Sequence, residues 1–325
     1  MPNKTLNGNL AQGYDLSTSM TQKILKNKAA SNREKLLNIA RAQKINFDAL
    51  LLRFMQERLL YRLSVSKYKA RIVLKGGLLL TCYDLPFLRA TRDMDFLAKQ
   101  IDQRPELMKD MFKDILKQPC ADGVSFDLAA LAVDNIKKGS DSVGIRIKIK
   151  ASLEQATKIL QIDIGFGDII IPRPLTMTFP TLLDEVAPKI GVYSKESIIA
   201  EKFEAMIKLS IINSRLKDFY DIYALATAYP FEASVLKAAI RATFKRRKTV
   251  LTAQPILFES SFFEDSYRQK QWLAFLRKSK LDLKIDFGEV MAKLTKFLRP
   301  VVLDITSKAK RPRSWDPKQE LWQEH

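Results

Sequence analysis

The chain has 325 residues, 46% of them hydrophobic, and carries 55 Lys and Arg against 36 Asp and Glu, a net charge of +19 at pH 7. A surplus of that size points to a polyanionic partner. The single histidine is the last residue, His325, and Cys82 and Cys120 stand alone, which excludes histidine catalysis, a His or Cys metal site and a disulfide framework.

Residues 1–30 read as a polar leader with a short helix near "TSMTQKILKNK" and no signal-peptide pattern. No uncharged apolar run of about 18 residues is present, so a cytoplasmic protein without a membrane partner is expected, with both cysteines as small core residues in a reducing compartment. At Ser31 the pattern changes: Ser31 and Glu34 have the spacing of a capping box, and a helix is expected to start there. "NFDALLLRFMQERLLYRL" continues with apolar residues at Leu51, Phe54, Met55 and Leu59, a helical stripe. "RIVLKGG" reads as a strand ending at Gly76 and Gly77, "LLLTCYDL" as a helix, "TRDMDFLAK" as a second strand, and Asp102 to Gln118 as a helix.

Strands follow in "VSFDLAAL", "VGIRIKIKASL" and "KILQIDIGFGD". Alternation in the second puts Ile145, Ile147 and Ile149 inward and Arg146, Lys148 and Lys150 outward. In the third, Ile162, Ile164 and Phe166 share one face and Asp163 and Gly165 the other. Beyond "IPRPLTMTFPTLLDEVAP" strand character is expected to end, with helices from Lys195 to about Leu298. The expected organisation is a leader (1–30), N-terminal helices and a catalytic core (31–190), a helical domain (191–305) and a mobile basic tail (306–325).

The chemistry is sought in three acids on otherwise apolar strands. Asp93 and Asp95 lie two apart in "RDMDF" and share a face; if the strand of Asp163 is their neighbour, three carboxylates meet. Like charges so placed call for a cation, and a hard oxygen cluster suits Mg²⁺ or Mn²⁺. The alternative is an edge strand with a solvated acidic face paired locally to Arg89 and Arg92. Gly76 and Gly77, between a strand and a helix, offer bare amides to phosphate oxygens or form a simple turn.

"LKGG", "RATRDMDF", "QIDIGFGD" and "IIAEKFEAMIKL…NSRLKDFYDIYAL", in that order over roughly residues 30–250, resemble the AbiEii and MenT family of nucleotidyltransferase toxins within the polymerase-beta-like nucleotidyltransferase superfamily. The superfamily often has Gly-Ser where this chain has Gly76 and Gly77, and 15 residues separate Gly77 from Asp93, an extended connection. The resemblance implies an α+β fold with a mixed sheet, and NTP-dependent transfer of a nucleoside monophosphate to an RNA hydroxyl, the tRNA 3′ end foremost, blocking translation. It implies metal at Asp93 and Asp95, with Asp163 as a further ligand or base, and nucleotide binding at Gly76, Gly77, Lys202, Lys208, Arg215 and Lys217. Asp218 matches the acid of the family's Arg-x-Lys-Asp motif. A cognate antitoxin, often a winged-helix protein, is the implied protein partner, in a toxin-antitoxin or phage-defence locus.

The residues alone leave blander readings open. Glu204 with Lys208, and Lys217 with Asp221, have the spacing of surface ion pairs, and Asp218 that of an early-turn helix acid. Arg146, Lys148, Lys150 and the runs "FKRRK", with Arg246 and Arg247, and "KAKRPR" are solvated charge or a path for RNA backbone. The rival functions are a phosphotransferase or protein nucleotidyltransferase on the same fold, and a silent RNA-binding module.

Overall fold

The computed structural model describes residues 12–85, 89, 91–137, 143–209, 215–307 and 313–323. The first helix, α1 (Gln12–Gln43), runs unbroken through Ser31, so the expected capping box there does not form. Asn32 explains what that turn does instead: it is buried and donates to the Asp122 carbonyl and to Glu185, pinning α1 to the core. α2 (Phe47–Val65) starts at Asn46, whose side chain accepts from the Ala49 amide. It is buried on most sides, which brings Arg62 inside, where it forks onto Asp122 at 2.8 and 3.1 Å.

The main sheet is mixed. Its strands are β1 (Ile72–Lys75), β2 (Asp93–Ala98), β3 (Val124–Phe126), β4 (Ala132–Lys137), β5 (Val143–Leu153), β6 (Ala156–Phe166), β7 (Leu175–Thr178) and β8 (Lys189–Val192). The order is β3-β5-β6-β2-β1-β8-β7, with β4 also on β5. Pairs β1–β8 and β2–β6 are parallel and the others antiparallel. An α+β architecture is thus observed, as expected. β2 is a central strand and not an edge, which removes the reading of "RDMD" as a solvated edge.

Alternation along β5, β6 and β2 sends Ile145, Ile147, Ile149, Leu160, Ile162, Ile164, Met94 and Phe96 to one face, where all are fully buried. That face packs on α1, α2 and α4 (Pro105–Leu116). The opposite face carries the polar residues of the same strands.

The helical part consists of α5 (Lys195–Leu209), α6 (Leu216–Ala228), α7 (Ala233–Arg247), α8 (Ser260–Phe263), α9 (Ser266–Ser279) and α10 (Phe287–Thr306). α10 begins with a true capping box, Asp286 with Glu289. Phe219, Phe262, Trp272 and Phe287 cluster among these helices.

Three expectations change. Strand character persists past Pro188, in β8, because "KIGV" pairs antiparallel with "LTMT" of β7 and parallel with β1. "VSFDLAAL" divides, leaving only β3, and β4 forms just beyond it. Residues 313–323, expected in a mobile tail, fold back as β10 (Ser314–Asp316) and β11 (Leu321–Gln323) against β9 (Phe231–Glu232). Two tryptophans account for this: Trp315 is buried and donates to the Ala226 carbonyl, and Trp322 stacks on Phe297. The rest of the "KAKRPR" run, 308–312, and His325 lie outside the described residues, as do residues 1–11 of the leader. Among the described residues no helix is long and apolar enough to cross a membrane.

Candidate active site

Register places a row of charge across four strands. Lys75 on β1 pairs with Asp95 on β2, Asp95 with Asp163 on β6, and Asp163 with Arg146 on β5. Directly paired residues point to the same face, so Lys75, Asp95, Asp163 and Arg146 stand side by side, with Asp93 one step along β2. The expected meeting of the three acids is therefore observed. Arg146 forks onto Asp163 with two bonds of 2.8 Å, and Gln161 donates to Asp93 at 3.1 Å. Desolvation first, and then the neighbouring charges of Asp95 and Asp163, push the Asp93 carboxyl above the usual aspartate range.

The glycine pair lies against this row. Gly76 has φ +71°, and a Cβ there would fall on the Asp95 carboxylate; at Gly77 a Cβ would meet the Arg89 guanidinium and the Thr91 hydroxyl at 2.8 Å. Both positions need glycine for reasons of close approach, and Gly76 also for its backbone. The helix after them, α3 (Gly76–Leu79), is a single turn followed by a 3₁₀ turn, shorter than the helix expected over "LLLTCYDL".

The start of α6 supplies the facing charges. Asp221 is fully buried and receives both arms of Arg89, at 2.8 and 2.7 Å, and the Lys202 ammonium at 2.6 Å. Asp218, also buried, holds Lys202 at 2.9 Å and Arg215 at 2.9 Å. Burial works against charge on Lys202, yet Asp218 and Asp221 keep its ammonium above the ordinary lysine range; the same attraction, with Arg89, holds Asp221 below the usual carboxylate range despite its burial. Lys217 next door is pulled below the ordinary lysine range, by desolvation first and then by Arg215, Arg89 and Lys202. Four cations thus surround two acids, and Lys217 is close enough to Asp93 to act on its charge.

A second ionic cluster lies behind Lys75, whose ammonium meets Asp168 at 2.7 Å and Glu201 at 3.0 Å. Arg247 at the end of α7 joins it, reaching Asp168, Glu201 and Glu204. These contacts correct the RNA role expected of Arg247: three acids hold it in place. Arg246 is exposed and donates to the carbonyl of Gly167, whose φ of +73° favours glycine, at 2.7 Å. The surface pairs considered for Glu204 with Lys208 and Lys217 with Asp221 are replaced by these partners. Lys208 is exposed in the last turn of α5, two turns from Lys202, and is not among the groups gathered at the row.

A model of the family described as nucleotidyl transferase AbiEii toxin, type IV toxin-antitoxin system, matches residues 58–293, which span the row, the glycine pair and the α6 cluster. The chain belongs to the AbiEii family. Among solved structures it is similar to MenT4, a nucleotidyltransferase toxin of Mycobacterium tuberculosis, at 19% identity over 84% of this chain and 99% of that one, TM-score 0.47. It is also similar to JHP933 of Helicobacter pylori, at 18% identity over 80% and 92%, TM-score 0.44. No curated protein matches. AbiEii membership makes the chain a nucleotidyltransferase toxin, with a nucleoside triphosphate as substrate and an antitoxin as counterpart.

The raised Asp93 carboxyl tests the fit of a divalent cation. Burial first, and then the charges of Asp95 and Asp163, work against the Asp93 carboxylate, and a cation bound beside it would offset both. Asp163 departs from the expected ligand set, since Arg146 engages both of its oxygens. Among the described residues no group of three or more acidic, Cys or His side chains is placed to hold a metal. The fit is therefore to the Asp93–Asp95 pair alone.

Four further residues of this AbiEii site went unassigned in the sequence: Lys75, Arg89, Asp168 and Asp221. Lys75 and Asp168 sit at the ends of quoted motifs, beside Gly76 and after Gly167, and only the register and the turn bring them together. Asp221 carried a usable signal, because it lies one helical turn from Asp218 and shares its face.

Proposed function

We propose that this AbiEii protein transfers a nucleoside monophosphate from an NTP to an RNA hydroxyl, the 3′ end of tRNA by family resemblance, and so blocks translation. The observation that carries the reading is the Asp93–Asp95 pair, two carboxylates on one face of β2 beside Asp163, facing the cation-rich start of α6. Asp93 and Asp95 would hold Mg²⁺ or Mn²⁺, which when bound supplies positive charge to the phosphates and polarises the phosphorus under attack.

The chain's own groups divide the rest. Lys202, Arg215, Lys217 and Arg89 outnumber Asp218 and Asp221, and the excess positive charge serves the triphosphate. Asp218 and Asp221 act by holding those cations in place, since both carboxylates are buried under them. Gly76, by lacking a side chain, lets Asp95 and the nucleotide approach the backbone. Arg146, fixed by Asp163, presents a cation on the side of the row away from α6.

The test is incubation of the protein with total bacterial tRNA, Mg²⁺ and each α-³²P NTP, wild type beside Asp95→Ala. Label on tRNA that the variant loses supports the reading. Label that survives in the variant removes Asp95 from the site, and label from γ-³²P but not α-³²P NTP makes the enzyme a phosphotransferase.

A further inference from the structure

The polar face of the main sheet does not end at the charged row. Beyond Asp163 and Arg146 it continues along the β5–β6 hairpin, where Lys148 pairs with Gln161 and Lys150 with Ile159. Lys148 and Lys150 are exposed, and Ile159 is 69% exposed, the most exposed large apolar residue among the described residues of the sheet strands. The helices that pack this part of the sheet, α1, α2 and α4, contact its other, apolar side. Two exposed acids border this stretch on its other side: Asp134 on β4 opposite Arg146, at the level of the row, and Asp127 just past β3, whose amide donates to the Lys150 carbonyl at 3.0 Å.

We infer that this hairpin face is the platform for the acceptor, and that the acceptor lies on it as a single RNA strand whose 3′ end reaches Asp93 and Asp95. The inference rests on the reading that the acceptor is RNA, and adds where and in what form it binds. Side chains two apart on a strand are about 6.7 Å apart, roughly one nucleotide of an extended chain. Arg146, Lys148 and Lys150 therefore offer one cation per step, leading away from the row. Ile159, beside Lys150, gives a base face an apolar surface, a pairing of charge and apolar contact suited to a single strand and independent of sequence. A flat, one-sided column three cations long matches one backbone.

The experiment is equilibrium binding of a fluorescein-labelled single-stranded oligoribonucleotide, without NTP, across a salt series. Each phosphate neutralised on a single strand contributes about −0.7 to the slope of log K against log salt, so Lys148→Gln with Lys150→Gln should flatten the slope by about 1.4. Between about 50 and about 200 mM salt the wild type should then lose about 7-fold more affinity than the double variant. Ile159→Ser should weaken binding and leave the slope unchanged. Lys35→Gln with Lys44→Gln, exposed on or beside α1, removes the same charge elsewhere and should retain the wild-type slope.

An unchanged slope in the β5 variant, an equal loss in the α1 control, or a wild type that binds no RNA each overturns the inference. The two readings fail separately. Labelled tRNA with slope-neutral β5 variants keeps the transfer reaction and discards the platform, and slope-sensitive binding without label does the reverse.

Discussion

Replacing Asp221 by Asn isolates the ionic cluster on which the α6 side of the site depends. The carboxylate is fully buried, forks to Arg89 and bonds Lys202, and the amide keeps its shape while removing its charge. What remains is Arg89, Lys202 and Arg215 around Asp218 alone. Removing one partner of a buried pair costs about 3–5 kcal/mol, because the other charge is left uncompensated. At about 2.1 cal/mol/K per residue the unfolding entropy of a chain this long is roughly 0.7 kcal/mol/K, so Tm should fall by about 4–7 °C. Differential scanning fluorimetry of wild type, Asp221→Asn, Lys202→Met and the double variant measures it. The double variant should recover part of the loss, since the orphaned ammonium is gone. A single-variant Tm within about 1 °C of wild type, or strictly additive losses, would refute the claim that Asp221 is the shared counter-charge of Lys202 and Arg89.

Three other substitutions probe separate links. Asp93 has a raised carboxyl, so between its unfolded value near 3.9 and its folded one the native state binds more protons, and stability falls as pH rises through that window. Asp93→Asn should therefore raise Tm at pH 7, an advantage that fades toward about pH 4; Mg²⁺ should raise the Tm of wild type but not of the variant, and equal responses would remove Asp93 from the metal site. Gly76→Ala puts a Cβ on the Asp95 carboxylate and a side chain at φ +71°, so transfer should drop at least about 100-fold while stability falls by about 1–2 kcal/mol; activity near wild type would show that Asp95 has room to move. Trp315→Ala empties the buried anchor of the C-terminal hairpin at a cost of about 3–5 kcal/mol, read by thermal unfolding and by new proteolysis within 313–323, and an unchanged melting curve would contradict the anchoring.

What the sequence disclosed followed from periodicity. Alternation in "GIRIKIK" and "QIDIGF" put Ile145, Ile147, Ile149, Ile162 and Ile164 on the buried face and Arg146, Lys148, Lys150 and Asp163 on the other, as observed, because a half-buried strand leaves its pattern in hydrophobicity alone. It could not disclose register: that Arg146 falls opposite Asp163 depends on the turn at Glu154, that Lys75 falls opposite Asp95 on the antiparallel β1–β2 pairing, and that Asp95 falls opposite Asp163 on a parallel pairing of strands distant in the chain. Arg146 was accordingly read as solvated charge or part of a path for RNA, with no sign that it clasps Asp163. The same limit explains Arg247. Its run, "FKRRK", looks uniformly solvated, but the end of α7 turns this one arginine onto Asp168, Glu201 and Glu204. The capping-box spacing at Ser31 misled for another reason: propensity at a potential cap yields to tertiary contact, and Asn32 gains two long-range bonds by staying inside α1.

The distribution of pairing also bears on where the surplus of +19 acts. Around the row most cations are matched: Arg89, Lys202 and Arg215 hold two acids, and Lys75 and Arg247 hold three. Groups bound in that way set geometry and local potential, and salt screens least those whose side chains are buried, Lys75, Arg89 and Lys202. Lys148 and Lys150 are in a different situation, exposed, with Gln161 and Ile159 opposite them on β6 and a single exposed acid, Asp127, beside Lys150, so their charge extends into solvent and is screened within about 8–10 Å at ordinary ionic strength. A triphosphate seated among the paired cations and a polyanion drawn along the hairpin would thus respond differently to salt, the first weakly and the second steeply. The row lies where the two regimes meet, and Arg146 belongs to both: Asp163 fixes its guanidinium, and its strand carries the column of lysines outward.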